Sequence, residues 1–440
     1  MTDFGLPDGF DEDALRAYLR QFGITPDADG NIDPQQLMDK LQDALTAFNT
    51  NLAGFGPSDP ASGMNWNLTL DIARRALGTS PLVTEADRKA LADAVYLANL
   101  WLDASTSFEA VPSLPQAWTP RDWLERTFET WKRLEKPIVD SLSVALQGLV
   151  PPGMSIPGME AQMGPMMRAA GAGVYSSQIG QALASLADTV LGPGDLGFPL
   201  TDEPVVALIP AHVADFAADL DVPASDVWLY LALRESARAR LFRAAPWLPA
   251  QLLALVEHYA REIDIDPEAL QDALDSQMRE GMEAGDIAGL QQMGMKVADS
   301  IFNPARTDEQ LEVLGRLETL IALVEGWVDA VVDSATKGRM PSAAGLAEMV
   351  ARRRASGKIS KALHSLLGLD LRPKRVREAR NLWAAVSNFR GDAERDASWK
   401  HPDLLPSAED LADPLPYAEH GVATEQDELD AEIEKLLGGE

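Results

Sequence analysis

The residues of this chain whose types and spacing could do chemistry lie in LALRESARARLF, residues 231–242. Arg234, Glu235 and Arg238 stand at i, i+1 and i+4. That is the spacing of a metallohydrolase helix, in which two ligands one turn apart face a metal ion and the intervening glutamate polarises the attacking water. Here both ligand positions hold arginine, whose guanidinium stays protonated and has no lone pair to offer. The pattern also fits an exposed helix with alternating Arg and Glu, and taken alone it favours a solvated face.

Other candidate chemistry is sparse. The 440 residues contain no cysteine, which removes disulfides, thiolate nucleophiles and Cys-ligated zinc or iron–sulfur centres and leaves His, Asp and Glu as ligands. His212 and His258 are single histidines on helical segments, neither with a second His at i+4, so structural roles are expected for both. His401 precedes Pro402 in WKHPDLLP, as in a fixed turn, while His364 and His420 fall in a basic helix and an acidic tail without visible partners. Asp27, Asp29, Gly30 and Asp33 imitate a calcium loop, but that register puts Thr25 at the first ligand and Gln36 where a bidentate Glu is needed. A turn into a helix capped by Asp33, with Pro34 at its first position, is expected instead. Gly171 and Gly173 lack the strand and the GK[ST] of a phosphate loop.

The elements that must position these residues read as helices. Thr84 to Ala104 places Leu91, Ala94, Val95, Leu97 and Ala98 on one apolar face. Pro120 to Gly148 repeats the pattern with Trp123, Leu124, Phe128, Trp131, Leu134 and Ile138, and Pro137 should bend or break it. Further helices are expected at 209–220, 226–243, 248–263, 267–281, 308–335 and 343–366. Ser225 is the expected cap of the helix at 226–243, and Pro246 its stop. The stretch 150–173, with Met154, Met159, Met163, Met166 and Met167, reads as a flexible loop, and a Met-lined ligand groove is its alternative. No convincing alternation marks a sheet, so the fold class is mainly α.

Charge limits the partners. The chain carries 38 Lys or Arg against 68 Asp or Glu, a formal net charge of −30, which repels nucleic acid and anionic membranes. Residues 351–400 depart from this with 13 basic against 5 acidic residues, and 401–440 swing back with 12 acidic residues and Lys435. Arg352, Arg353, Arg354, Lys358, Lys361, Arg372, Lys374, Arg375, Arg377 and Arg380 could recognise an anionic partner. A solvated surface, or one covered by the acidic tail, is the favoured reading. Residues 169–187 are uncharged, but Ser176, Ser177, Gln178, Gln181 and Ser185 argue for a soluble helix whose Gly and Ala allow close packing. The first ten residues lack a basic region followed by an apolar core, so a cytoplasmic location and no membrane partner are expected.

Long Trp-rich segments in a fixed order carry a family resemblance: GMNWNLTLDIARRAL at 63, ADAVYLANLWLDAST at 92, AWTPRDWLERTFETWKRLEKPI at 117, SSQIGQALASLADTVLGPGDLGFPL at 176, LALRESARARLFRAAPWL at 231, LIALVEGWVDAVV at 320 and RDASWKHPDLLPSAEDL at 395. Over most of 60–414 the chain resembles the actinobacterial zincin-like family of zinc-dependent metalloproteases or hydrolases, related to proteins associated with deazaflavin-coenzyme biosynthesis. The resemblance implies a multi-helical zincin-like domain at 56–414, after an N-terminal segment of short helices at 1–55 and before an acidic, partly disordered tail at 415–440. It places Arg234 and Arg238 at the two zinc-binding histidines, Glu235 at the general base, and Glu325 at a third, carboxylate ligand. Zinc is the cofactor implied, although two arginines cannot hold it.

If the fold brings Glu325 to the RESAR helix, Arg234 or Arg238 should pair with it and supply the positive charge of the metal; otherwise one arginine points to solvent. Two functions remain open. One is a catalytically weak or inactive zincin-like protein that binds a protein or peptide partner. The other is an active metal-dependent peptidase or hydrolase with Glu235 as general base.

Overall fold

Two capping boxes, one bidding for each end of the long middle of the chain, show how local sequence starts the architecture. Thr84 accepts a hydrogen bond from the Asp87 amide while the Asp87 carboxylate accepts from the Thr84 amide, and Thr307 and Gln310 repeat the arrangement. In the computed structural model the described residues are Asp59, 64–148, 160–218, 220–263, 307–355, 357–369 and 375–422. The chain divides into units Met1–Ser58 and Asp59–Glu440, and every described residue belongs to the second. The Asp33 turn, the helix expected at 267–281 and the tail beyond 422 lie outside the described residues.

In chain order the helices are α1 Trp66–Leu77, α2 Glu85–Leu102, α3 Pro120–Gly148, α4 Glu160–Ala187, α5 Pro210–Ala217, α6 Ala224–Ala244, α7 Trp247–Arg261, α8 Asp308–Thr336, α9 Ala343–Ala355, α10 Lys358–Leu367, α11 Val376–Arg390, α12 Asp392–Ala397, α13 Ala408–Ala412 and α14 Pro414–His420. Strands β1, Gln116–Ala117, and β2, Ala207–Leu208, form a parallel pair. The fold is therefore mainly α. Among the described residues, no helix is long and apolar enough to cross a membrane.

Four local expectations need correction. Pro137 does not break α3, because Leu134, Ile138, Val139 and Leu142 are buried on both sides of it and hold the two halves in the core. The helix expected over 343–366 is two, since Gly357 takes a left-handed φ of 73° between α9 and α10. The stretch 160–173, expected as a loop, is the first half of α4, consistent with the helix preference of its Met and Ala residues. Ser225 does not cap α6, which begins at Ala224 after Pro223 without a side-chain cap.

Helices α6 and α8 form the centre. Between Val227 and Phe242 only Trp228 of α6 escapes full burial, and α8 is buried from Leu320 through Val328. Helix α2 covers one side of α6, while α7 and α11 pack on α8. Buried aromatic groups pack in two clusters of tilted and edge-to-face rings, Trp123, Trp131 and Phe198 in one and Trp383, Trp399 and Tyr417 in the other.

The EGW segment of α8 points three ways. Glu325 faces α6, Trp327 donates to Asp396 at 3.1 Å, and Gly326 lies against α11. A Cβ on Gly326 would stand 2.5 Å from Ala379 Cβ and 2.6 Å from the Arg380 nitrogen, so backbone would have to move. Gly326→Ala is therefore expected to cost about 1–3 kcal/mol in urea unfolding. Gly315→Ala, on the same helix but with open space around it, should instead stabilise by about 0.5–1 kcal/mol. Equal effects at the two positions would contradict the close α8–α11 packing.

Candidate functional site

Arg234 and Arg238 sit one turn apart on α6, so both project toward α8, where Glu325 and Asp329 are likewise one turn apart. The two pairs interlock. Arg234 donates through Nη2 to Glu325 Oε2 at 2.8 Å and through Nη1 to Asp329. Arg238 donates to Glu325 Oε1 through Nε at 2.9 Å and Nη2 at 2.7 Å, and to Glu235 Oε1 through Nη1 at 2.6 Å. A third guanidinium completes the set: Arg354, from the end of α9, donates to Glu325 and to Asp329.

Three guanidiniums thus face three carboxylates in the protein's interior. Exposure is 4% for Arg234 and Arg238, 7% for Glu235 and 3% for Glu325, so the solvated face expected of RESAR is not what forms. Arg354 corrects a second expectation, because the basic run 352–354 is largely neutralised within the fold. Arg353 pairs with Asp195 at 2.9 Å and Arg352 with Glu348, while Arg375 and Arg380 reach Glu378 and Asp333. Lys358, Lys361 and Arg377 remain exposed, and Arg372 and Lys374 lie outside the described residues.

The segment LGPGDLGF, residues 191–198, closes over the cluster. A Cβ on Gly194 would fall 2.6 Å from Arg238 Nη1 and 2.7 Å from Glu235 Oε2, so any other residue there would have to push the paired side chains aside. Asp195 accepts from the Leu191 amide at 3.0 Å as well as from Arg353, which fastens the segment to α9. Beside it a cavity of about 40 Å³ opens between Pro193, Phe198, Pro204, Arg238 and Phe242. At about 10–15 Å³ per water it has room for roughly three or four molecules.

The electrostatics follow from burial and pairing. Burial works against every ionised group here. For Glu325 the opposing guanidiniums of Arg238, Arg354 and Arg234 win, and its carboxyl lies below the usual range. Asp329 behaves likewise and is held at about 2 by Arg234 and Arg354. Arg234 and Arg238 resist burial through their carboxylate partners and hold their protons more tightly than a free arginine. Glu235 goes the other way: burial, helped by neighbouring Asp195 and Glu325, outweighs Arg238 and raises its carboxyl.

The structure brings together all four residues singled out from sequence, Arg234, Glu235, Arg238 and Glu325. Both arginines pair with Glu325, so neither points to solvent. The donors do not suit a metal ion. Two are permanent cations without lone pairs, and both Glu325 oxygens already accept from guanidinium groups. Sequence reasoning missed Asp329 and Arg354. The i,i+4 spacing of Glu325 and Asp329 signalled the first, while nothing local distinguished Arg354 from Arg352. No histidine takes part in the cluster; His212 donates to the Val190 carbonyl at 2.6 Å, His401 accepts from the Asp403 amide, and His420 is exposed beside Glu419.

Removing one carboxylate from the centre should separate these roles. Glu325→Gln strands three guanidiniums and is expected to cost about 3–5 kcal/mol in chemical denaturation. Glu235→Gln relieves a buried carboxyl and keeps an acceptor for Arg238, so its cost should stay below about 1 kcal/mol. Comparable losses would refute this division of labour. The pH dependence has a definite sign. Asp329 is lowered from 3.8 to about 2, so its stabilisation is present above pH 4 and disappears as pH falls toward 2. Asp329→Asn should therefore lose about 2 kcal/mol less than the parent between pH 5 and 2, as read from urea midpoints. The raised Glu235 carboxyl contributes with the opposite sign, since the fold favours its protonated form.

Comparison with known proteins agrees with the helical architecture. No curated protein matches this chain. Among solved structures, a crystal structure from Chloroflexus aurantiacus described as "a putative hydrolase with a novel fold" superposes with a TM-score of 0.56 at 19% identity, over 81% of this chain and 97% of that one. At that identity the likeness concerns the fold. The Zincin-like metallopeptidase profile matches residues 64–418, a span that contains α6, α8 and the whole ionic cluster, and the chain belongs to that family.

Proposed function

We propose that this protein is a zincin-like metallopeptidase family member without metal-dependent hydrolysis, one in which the fold serves as a module for binding a protein or peptide. The observation that carries this reading is the state of Glu325, whose carboxylate is engaged by Arg234, Arg238 and Arg354. A zinc ion lowers the pKa of bound water to about 7 and polarises a carbonyl. Guanidiniums supply charge and directed N–H donors, but no open coordination position and no activated water. The closed segment over Glu235 supports the same conclusion, because a general base must come within hydrogen-bond reach of the water it activates.

The alternative is hydrolysis with Glu235 as base. Its support is family membership and the raised Glu235 carboxyl, since a general base works best with a pKa near the operating pH. Assays of the purified full-length protein on casein and fluorogenic peptides should show no turnover above that of the Glu235→Gln variant. Glu325→Gln should leave the metal content by mass spectrometry unchanged. Turnover that chelation abolishes and Glu235→Gln removes would establish the alternative.

A further inference from the structure

The end of α7 and the start of α8 meet at the protein surface, and neither end contributes a residue to the ionic cluster. His258 lies in the last turn of α7, Glu262 is the residue that caps it, and Glu309 lies in the first turn of α8. His258 Nε2 stands 3.2 Å from Glu309 Oε1 and 3.9 Å from Glu262 Oε1. One ligand atom from each residue falls within 4.8 Å of the other two.

These separations are those of a coordination polyhedron. A divalent ion bound at about 2.0–2.2 Å to nitrogen and oxygen sets neighbouring ligand atoms about 3.0–3.5 Å apart. The first separation is already in that range, and the second needs only a small rotation of a half-exposed side chain. His258 and Glu262 are i,i+4 on one helix face, and the second helix adds the third ligand from across the gap. Charge fits too: a neutral imidazole and two carboxylates match a divalent cation. The C-terminal end of α7 adds the favourable side of its helix dipole. With 39% of the His258 side chain and 60% of the Glu309 side chain exposed, the outer side is open for water ligands.

We propose that His258, Glu262 and Glu309 form a binding site for a first-row divalent cation, with Zn2+ the ion that one imidazole and two carboxylates suit best. Such an ion ties the last turn of α7 to the first turn of α8, the two points between which residues 264–306 leave and return. It shares no residue with the Arg234–Glu325 cluster, so this site and the reading of that cluster stand or fall separately. Read as a lone histidine, His258 carries no signal; the signal is the carboxylate four residues on.

Full-length protein stripped with a chelator and dialysed should bind one equivalent of Zn2+ by titration calorimetry. Co2+ in the same site should give the visible absorption of a four- or five-coordinate ion. His258→Ala and Glu309→Gln should each weaken Zn2+ binding about tenfold or more, equivalent to 1.4 kcal/mol or more. Saturating Zn2+ should raise the Tm of the parent by a few degrees and leave that of His258→Ala unmoved. Glu325→Gln should keep the Zn2+ stoichiometry wherever it remains folded, which keeps this test apart from that of the central cluster. No saturation below about 1 mM Zn2+, or equal affinity in the parent and His258→Ala, would overturn the site and leave His258 as a hydrogen-bond partner of Glu309.

Discussion

The cost of burying charge organises this protein. An arginine or glutamate taken from water into a packed helical core is stable only when partnered, and removing one partner leaves the other exposed to the full penalty. Helix α6 carries Arg234, Glu235, Arg238 and Arg240 through the core in seven residues. The three arginines meet partners supplied by other parts of the chain, and Glu235 is paired by Arg238 of its own helix. Arg240 turns to the end of α2 and the turn after it, where Asn99, Asp103 and the Phe108 carbonyl receive it, while Arg234 and Arg238 turn to α8. The placement of α2, α8 and α9 around α6 is therefore set by hydrogen-bond geometry as well as by apolar packing.

This constraint explains details that apolar packing leaves arbitrary. Glu325 can receive three guanidiniums only if α8 approaches closely, and the next residue, Gly326, lets the opposite face of α8 approach α11 equally closely. Trp327 then fixes rotation about the α8 axis by donating to Asp396, which also accepts from Thr106, Ser107 and Arg395. The three residues of EGW thus settle distance on one side, distance on the other, and rotation. Arg354, from the end of α9, adds a third guanidinium to the two carboxylates of α8, Glu325 and Asp329.

Much of this was legible in the sequence. Periodicity located α2, α3, α6, α7 and α8 to within a few residues, because their apolar faces are continuous. It failed where one residue overrides a pattern, as Gly357 does between α9 and α10, and where composition suggested a loop although α4 had packing partners. At the site, the spacing of Arg234, Glu235 and Arg238 was visible while their burial was not. An Arg- and Glu-rich helix looks solvated until the complementary pair Glu325 and Asp329 is placed opposite it. Arg354 was hidden for the same reason, since a run of three arginines gives no sign of which one turns inward.

A guanidinium cluster and a metal centre can each hold two helices together, but they differ in the chemistry they allow. The difference lies in directionality and availability. A metal keeps an open position and can trade ligands during a reaction, whereas each guanidinium donor here already points at a fixed oxygen. Freeing Glu325 for another ligand would leave three buried cations under-neutralised, a larger disturbance than losing a water from zinc. The cluster is therefore self-locking: the interactions that stabilise the α6–α8 contact are the same ones that occupy both oxygens of Glu325.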